Sequence, residues 1–294
     1  MVVVKLMGGL GNQMFQFAAG RALSYRLNSD LLLDRSFLDA DPKGAWTKRE
    51  FELDIFNVDC KFLEEAQIRK LNPANKNIFR ILFRKLMPGF SGIYYLNEMG
   101  FSYQDKFEMI SGDVYLNGYW QSEKYFEKYG ALIAKDFQFR TPLLKENIAL
   151  SERIKSAESV SLHVRRTDFI ADPKVAQVHG VCTPDYYVNA VSKLKKQYEH
   201  LKGFVFSDDP QWAKDNIVTD IPLEYVTNNS GKNSYVDMQL MSMCKHNIIA
   251  NSSFSWWAAW LNKNEDKVVC APGNWFADKS INTKDLYPKT WLKL

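Results

Sequence analysis

VVVKLMGGLGNQMFQFAAGRALSYRLNSDLLLD, residues 2–34, sets the architecture of this 294-residue chain. VVVKLM (2–7) is the short, almost wholly apolar run that a buried strand requires. GGLGN (8–12) is a tight turn. QMFQFAAGRALSYRL (13–27) places apolar residues at 14, 15, 17, 18, 22 and 23, a helical spacing. LLLD (31–34) is a second strand. Strand, glycine turn, helix, strand is a βαβ unit, which predicts a parallel sheet with right-handed crossovers.

Outward from this unit the alternation continues. Helical patterns lie around 62–71 and 77–87, the latter basic with an apolar stripe, and residues 109–126 read as a strand followed by a helix. In the second half, strands are predicted at 160–165, 203–207, 223–227, 247–251 and 267–271, with helices at 184–200, 210–217, 234–245 and 254–262. A charged helical stretch at 143–157 marks the boundary. The expected fold is therefore α/β, with two Rossmann-like domains at 1–155 and 156–294. Two such halves suggest a central cleft, with ligands outside the carboxyl ends of the strands.

Composition narrows the function. Hydrophobic residues make up 46% and charged residues 24%, the balance of a globular protein with a sizeable core. A net charge of +4, with no Lys/Arg block interleaved with aromatics, argues against nucleic acid. Cys60, Cys182, Cys244 and Cys270 are widely spaced and the four histidines are scattered, so neither a disulfide framework nor a zinc site is predicted. No segment approaches about 20 uncharged apolar residues, and the opening apolar run is too short for a signal peptide. A cytoplasmic location is expected, with peripheral membrane contact left open and the oligomeric state undetermined. Asp39-Ala40-Asp41 has the form used by metal-dependent sugar transferases, but such triplets arise easily by chance.

Four clusters fall at predicted strand ends. In GGLGNQ (8–13), Gly9-Leu10-Gly11 begins like a dinucleotide fingerprint, but Met14 stands at the third glycine position, which argues against NAD or FAD. What remains is a turn whose backbone N–H groups suit an oxyanion, with Asn12 as a ligand-bonding amide or as an N-cap. In SVSLHVRRTDF (159–169), His163 and Arg165 share one strand face, and Arg166 and Asp168 follow. Arginine's fork of donors matches phosphate oxygens, and Asp168 can orient one of the two arginines. FVFSDDP (204–210) closes an apolar strand with Asp208 and Asp209. One can cap the helix that Pro210 opens, leaving the other free to accept from a paired N–H set such as a guanine edge. IIANSSFSWWAAWL (248–261) puts Asn251, Ser252 and Ser253 at a helix start, where hydroxyls and N–H groups surround a phosphate, with the tryptophans read as core.

Taken in order, GGLGNQMFQ (8–16), GYWQSEKYF (118–126), HVRRTDF (163–169) and CKHNIIANSSFSWWAAWLN (244–262) resemble the bacterial α-1,2-fucosyltransferases, glycosyltransferase family eleven. The resemblance implies a GT-B architecture, with an acceptor-side N-terminal domain and a C-terminal domain that binds GDP-fucose. It implies metal-independent, inverting transfer of L-fucose to the 2-hydroxyl of a galactose-terminated glycan, with no cofactor beyond the GDP-fucose donor. Carried over by position, Arg165 looks like the arginine on the β-phosphate and His163 a residue at the nucleotide. Asp208 looks like the guanine reader, with Asp209 second. Ser252 and Ser253 look like pyrophosphate contacts beside Asn251, and Asn12, in the Gly9–Gly11 turn, looks like an amide reaching the donor. Arg166 stands second to Arg165. Tyr119, Trp120 and Gln121 are candidates for stacking on and bonding to the galactose, though Trp120 suits the core equally. No carboxylate or histidine is marked as the general base, and Asp168 and His163 are the nearest candidates. Another linkage (α-1,3 or α-1,6) and a lectin-like protein that only binds nucleotide sugar are the alternatives.

Overall fold

The structure, a computed structural model, describes residues 1–40, 48–71, 93–167, 177–178 and 180–294. Asp41, Asp168 and the basic pattern at 77–87 lie outside the described residues. Packing divides the chain into two units, Met1–Gln138 with Lys284–Leu286, and Phe139–Thr283 with Tyr287–Leu294.

The first unit is built on the βαβ stretch that the sequence marks. Strands β1 (Val2–Lys5), β2 (Leu31–Asp34), β3 (Tyr94–Asn97) and β4 (Val114–Asn117) form a parallel sheet in the order β2-β1-β4-β3. Val2, Val3 and Val4 are fully buried, as expected for a strand covered on both faces. Helix α1 runs from Leu10 to Leu27, starting three residues before the predicted Gln13. It ends at Asn28, whose left-handed backbone (φ 47°) donates back to the last turn. After β4 the chain makes two short 3₁₀ turns, Glu123–Tyr125 and Glu127–Tyr129, rather than the continuous helix predicted there.

The second unit carries six parallel strands: β5 (Glu158–Val164), β6 (Leu201–Ser207), β7 (Leu223–Val226), β8 (His246–Ile248), β9 (Val269–Ala271) and β10 (Leu292–Lys293). Their order is β10-β9-β8-β5-β6-β7. Counted from β5 this is the Rossmann order 3-2-1-4-5-6, which reverses between β5 and β8. Val160, Leu162 and Val164 of β5 are buried, each contributing roughly 1.5–3 kcal/mol.

The division at 138/139 precedes the 155/156 read from the sequence because helix Lys145–Ser156 belongs to the second unit. Its buried Asn147 accepts from the side-chain amides of Asn228 (2.8 Å) and Asn229 (3.2 Å), beyond β7. Asn229 also donates to Asp237 (2.7 Å). Burial pushes the Asp237 carboxyl up to about 7, against the opposing pull of that hydrogen bond. A carboxyl raised on folding contributes fully below its unfolded value, and the contribution is lost as pH rises through the folded one. Asp237→Asn keeps an acceptor oxygen and removes the ionisation. Relative to wild type it should gain on the order of 1 kcal/mol between about pH 5 and about pH 7.5, read by urea unfolding at both pH values.

Candidate active site

Three of the four sequence clusters meet on the carboxyl edge of the second sheet, because β8, β5 and β6 are neighbours there. Val164 of β5 pairs with Ser207 of β6, so the residues that follow the two strands lie side by side. The Asp208 carboxylate clamps the turn after β5. Oδ1 accepts from the Arg166 N–H (2.9 Å), and Oδ2 from the Thr167 N–H (3.0 Å) and hydroxyl (2.5 Å). Arg165 Nη1 lies 3.4 Å from the same Oδ2. Asp209 caps the next helix, accepting from the Trp212 N–H (3.2 Å), with Pro210 in its first turn. Neither aspartate is therefore left wholly free, as the sequence reading had one of them.

Arg166 packs against an aromatic ring. Its guanidinium stacks 3.7 Å over the Trp212 ring, with Nε 3.9 Å from Asp209. That geometry suits a cation–π contact. His163 is buried, its ring 5.7 Å from that of Phe254, and its Nδ1 has no hydrogen-bond partner among the described residues. Burial, reinforced by the neighbouring Arg165, holds this imidazole neutral, well below the usual histidine range.

Beyond β8, Asn251 is buried. Its amide donates to the carbonyls of Gly180 (3.3 Å) and Trp275 (3.1 Å). Ser252 sits at the N-cap of helix Ser253–Leu261 with no side-chain capping bond. The first-turn N–H groups of that helix have no intrahelical acceptor. Trp256 and Trp257 are fully buried core. The Arg165 turn and the Ser252–Ser253 helix start thus flank the point where strand order reverses, the usual place for a nucleotide on such a sheet.

The fourth cluster lies on the carboxyl edge of the first sheet. Gly8 has φ +76°, and a Cβ there would sit 2.4 Å from Asn12 Nδ2, so only glycine fits the turn. Gly9, not Asn12, is the N-cap of α1. The Glu52 carboxylate lies beside this turn, Oε2 3.7 Å from where a Gly9 Cβ would stand, and burial pushes its carboxyl up. Gln13 fixes that arrangement, donating to the Gly8 (2.9 Å) and Glu50 (2.8 Å) carbonyls and accepting from the Glu52 N–H (3.0 Å). Asn12 Oδ1 accepts from Gln121 (2.8 Å), which joins the turns after β1 and β4. Trp120 is fully buried with φ +56° and belongs to the core, whereas Tyr119 is half-buried and stacks on Phe101. Both of their N–H groups donate to Glu98 Oε2 (2.6 and 2.9 Å).

Sequence reading missed Glu52, Glu98, Gln13 and Gln16. Each is one polar residue in an irregular or helical stretch, and its partner is distant in sequence. Gln16, for instance, joins the Met7 N–H to the Gly118 carbonyl. Of the Asp-x-Asp triplet, Asp39 forms an exposed ion pair with Arg35 (2.9 Å). Among the described residues no group of three His, Cys, Asp or Glu could hold a metal ion, and no helix is long and apolar enough to cross a membrane.

The model of the family described as "Glycosyl transferase family 11" matches residues 93–294. An α-1,2-colitosyltransferase of Escherichia coli is 35% identical, over 100% of this chain and 98% of that protein. The O-antigen biosynthesis glycosyltransferase WbnK of Escherichia coli is 36% identical, over 98% of this chain and 99% of that one. A galactoside 2-α-L-fucosyltransferase of Caenorhabditis elegans is more distant, 25% identical over 65% of this chain and 54% of its own length. Among solved structures, a mutant of Arabidopsis thaliana FUT1 in complex with GDP covers 91% of this chain and 69% of its own, with a TM-score of 0.54 at 15% identity. The two parallel-sheet, Rossmann-like units are those of the GT-B fold. On the family match and the full-length similarity, the chain is a glycosyltransferase and belongs to glycosyl transferase family 11.

Proposed function

We propose that the protein moves L-fucose from GDP-β-L-fucose to the 2-hydroxyl of a terminal β-galactoside, with inversion and without a metal ion. The observation that carries the reading is the pairing of Arg165 with the Ser252–Ser253 helix start across the strand-order reversal of a Rossmann-ordered sheet. As the bond to fucose breaks, negative charge grows on the β-phosphate. A fixed guanidinium and oriented N–H donors absorb that charge without reorganising. Arg165 takes the β-phosphate, and Ser252 and Ser253 supply hydroxyl and N–H contacts to the diphosphate. Asp208 holds Arg165 in line. Its Oδ1 carries one hydrogen bond and keeps a lone pair for a guanine N–H. Arg166 and Asp209 support the turn from Trp212, and neutral His163 packs beneath it. Asn12, held by Gln121, offers its amide Nδ2 to a ligand. The similarity to an O-antigen biosynthesis glycosyltransferase supports a surface-glycan acceptor.

A colitosyl donor is the second reading, favoured by the 35% identity to the colitosyltransferase. Colitose lacks the 3-hydroxyl of fucose. A site built to bond that hydroxyl rejects the deoxy analogue by as much as about 10⁴-fold. Incubation of lactose with GDP-fucose or GDP-colitose in excess EDTA, followed by NMR of the product, separates the readings. The expected product is 2-linked fucosyl lactose, formed undiminished in EDTA. A 3- or 6-linked product, a strict preference for colitose, or activity restored only by added divalent metal would each overturn part of the assignment.

A further inference from the structure

We propose that Asn251 is a positioning residue for the donor site: its amide ties together the connections after β5, β8 and β9, and so sets the aim of the helix start that takes the diphosphate. This rests on the transferase reading above. All the residues concerned belong to the second unit. Strands β9, β8 and β5 are neighbours in its sheet, and Asn251 follows the middle one. Its Nδ2 donates to the Trp275 carbonyl (3.1 Å) in the connection after β9 and to the Gly180 carbonyl (3.3 Å) in the connection after β5. Its Oδ1 accepts from the Cys182 thiol (3.6 Å), also after β5. Both amide hydrogens and the oxygen are thus engaged, on a side chain that is buried. Aspartate would bring no N–H to the two carbonyls, and alanine would leave both without this donor.

The same residue turns the chain into the helix. The Ser252 N–H donates to the Ala250 carbonyl (2.8 Å), which closes a three-residue turn centred on Asn251. Ser252 then caps helix Ser253–Leu261, and its carbonyl takes a first-turn bond from the Trp256 N–H (3.0 Å). The direction of the helix start is therefore set beside an anchored side chain. The two anchoring connections also hold each other, since the Ala277 N–H donates to the Val178 carbonyl (2.9 Å). A separate observation points to a ligand at this edge. His163, 6% exposed at the end of β5, has no partner for Nδ1 among the described residues, and its ring lies 5.7 Å from that of Phe254 in the helix's first turn. Buried polar atoms are rarely left unpaired in a complete site.

The effect should fall on the phosphates rather than the base. Asp208, which carries the guanine reading, follows β6, on the far side of β5 from the helix start. A helix start that loses its aim gives up contacts to the diphosphate and leaves that carboxylate where it is.

The test is an NMR titration of wild type, N251A, G180A and Y186F with GDP and with guanosine, which lacks both phosphates. The ratio of the two dissociation constants does not depend on any unfolded fraction, because both ligands bind the folded protein. N251A should narrow that ratio by about 5-fold or more, within the roughly 30-fold that a helix end can contribute to a bound anion. G180A should narrow it in the same direction. Gly180 has φ +65° and an added Cβ would stand 3.1 Å from Ala277 Cβ, so the variant displaces the Gly180 carbonyl without removing a buried side chain. Y186F is the control. It removes a buried hydroxyl that lies 2.7 Å from the Ile249 carbonyl and 3.0 Å from the Cys270 carbonyl at the same edge. It should cost stability and keep the wild-type ratio. A wild-type ratio in N251A, or in G180A where N251A does not fold, overturns the proposal. So does an equal narrowing in Y186F, which would make loose packing at this edge the cause. GDP that fails to bind wild type, or binds it no tighter than guanosine, would instead sink the donor reading on which the proposal rests.

Discussion

Arg165→Ala should lower kcat by about 10²–10³-fold while the protein folds as wild type does. The size follows from the chemistry of a diphosphate leaving group. One preorganised donor aimed at developing charge is worth roughly 3–4 kcal/mol in a site that has partly shed water. The neutral effect on folding follows from position. Arg165 follows β5 and is 27% exposed, and its long contact to Asp208 (3.4 Å) is the kind of partly solvated pair that adds little to stability. Arg165→Lys should fall between wild type and alanine. It keeps the charge but loses the planar fork that meets two phosphate oxygens. Steady-state kinetics together with urea unfolding check both halves. An alanine variant that keeps more than about a tenth of wild-type turnover would remove Arg165 from the phosphate.

Asp208→Ala should be the second large loss, acting through the arginine. The carboxylate holds two backbone N–H groups, the Thr167 hydroxyl and Arg165 in one turn. Its removal frees four donors at once. Water reaches Thr167, which is exposed, so the stability cost should be about 1–2 kcal/mol rather than the sum of four unmade bonds. Activity should fall about 100-fold because Arg165 no longer has a fixed position. Asp208→Asn discriminates between positioning and bulk. The amide preserves one acceptor but turns an N–H₂ group toward donors. It should therefore fold nearly as wild type yet lose most of the turnover, with the loss mainly in kcat. Wild-type kcat in Asp208→Asn would show that the clamp does not serve catalysis.

How much of this is legible in the sequence depends on whether a signal is local. The βαβ opening is legible because Val2–Val4 and Leu31–Leu33 are apolar runs flanking a glycine turn and a helical spacing. Strands β5 to β9 lie within three residues of their predicted bounds for the same reason, whereas the two-residue β10 is too short to leave such a run. Parallel strands covered on both faces leave near-continuous hydrophobic runs. Chemistry at strand ends is legible too, since HVRRTD, FSDDP and ANSS each interrupt an apolar run with polar groups. Partnerships are not. Asp208 looks available to a ligand, because nothing in FVFSDDP says that it clamps backbone 41 and 42 residues away. Asn251 looks like a phosphate contact, while its carbonyl partners lie in loops at 180 and 275. Arg166 looks like a second phosphate ligand until its ring partner, Trp212, arrives from the following helix. Glu98 carries no signal at all. Its meaning comes from a turn some twenty residues later, in which Gly118 makes room and Trp120 accepts an unusual φ.

The central claim is that the second sheet's β5–β8 edge binds the diphosphate of the donor. A crystal structure with GDP tests it most directly. The expected result places the β-phosphate within hydrogen-bond distance of the Arg165 guanidinium and of the Ser252–Ser253 hydroxyls and N–H groups. It places the guanine edge toward Asp208 Oδ1. A diphosphate bound elsewhere, with Arg165 making no contact to it, would contradict the account.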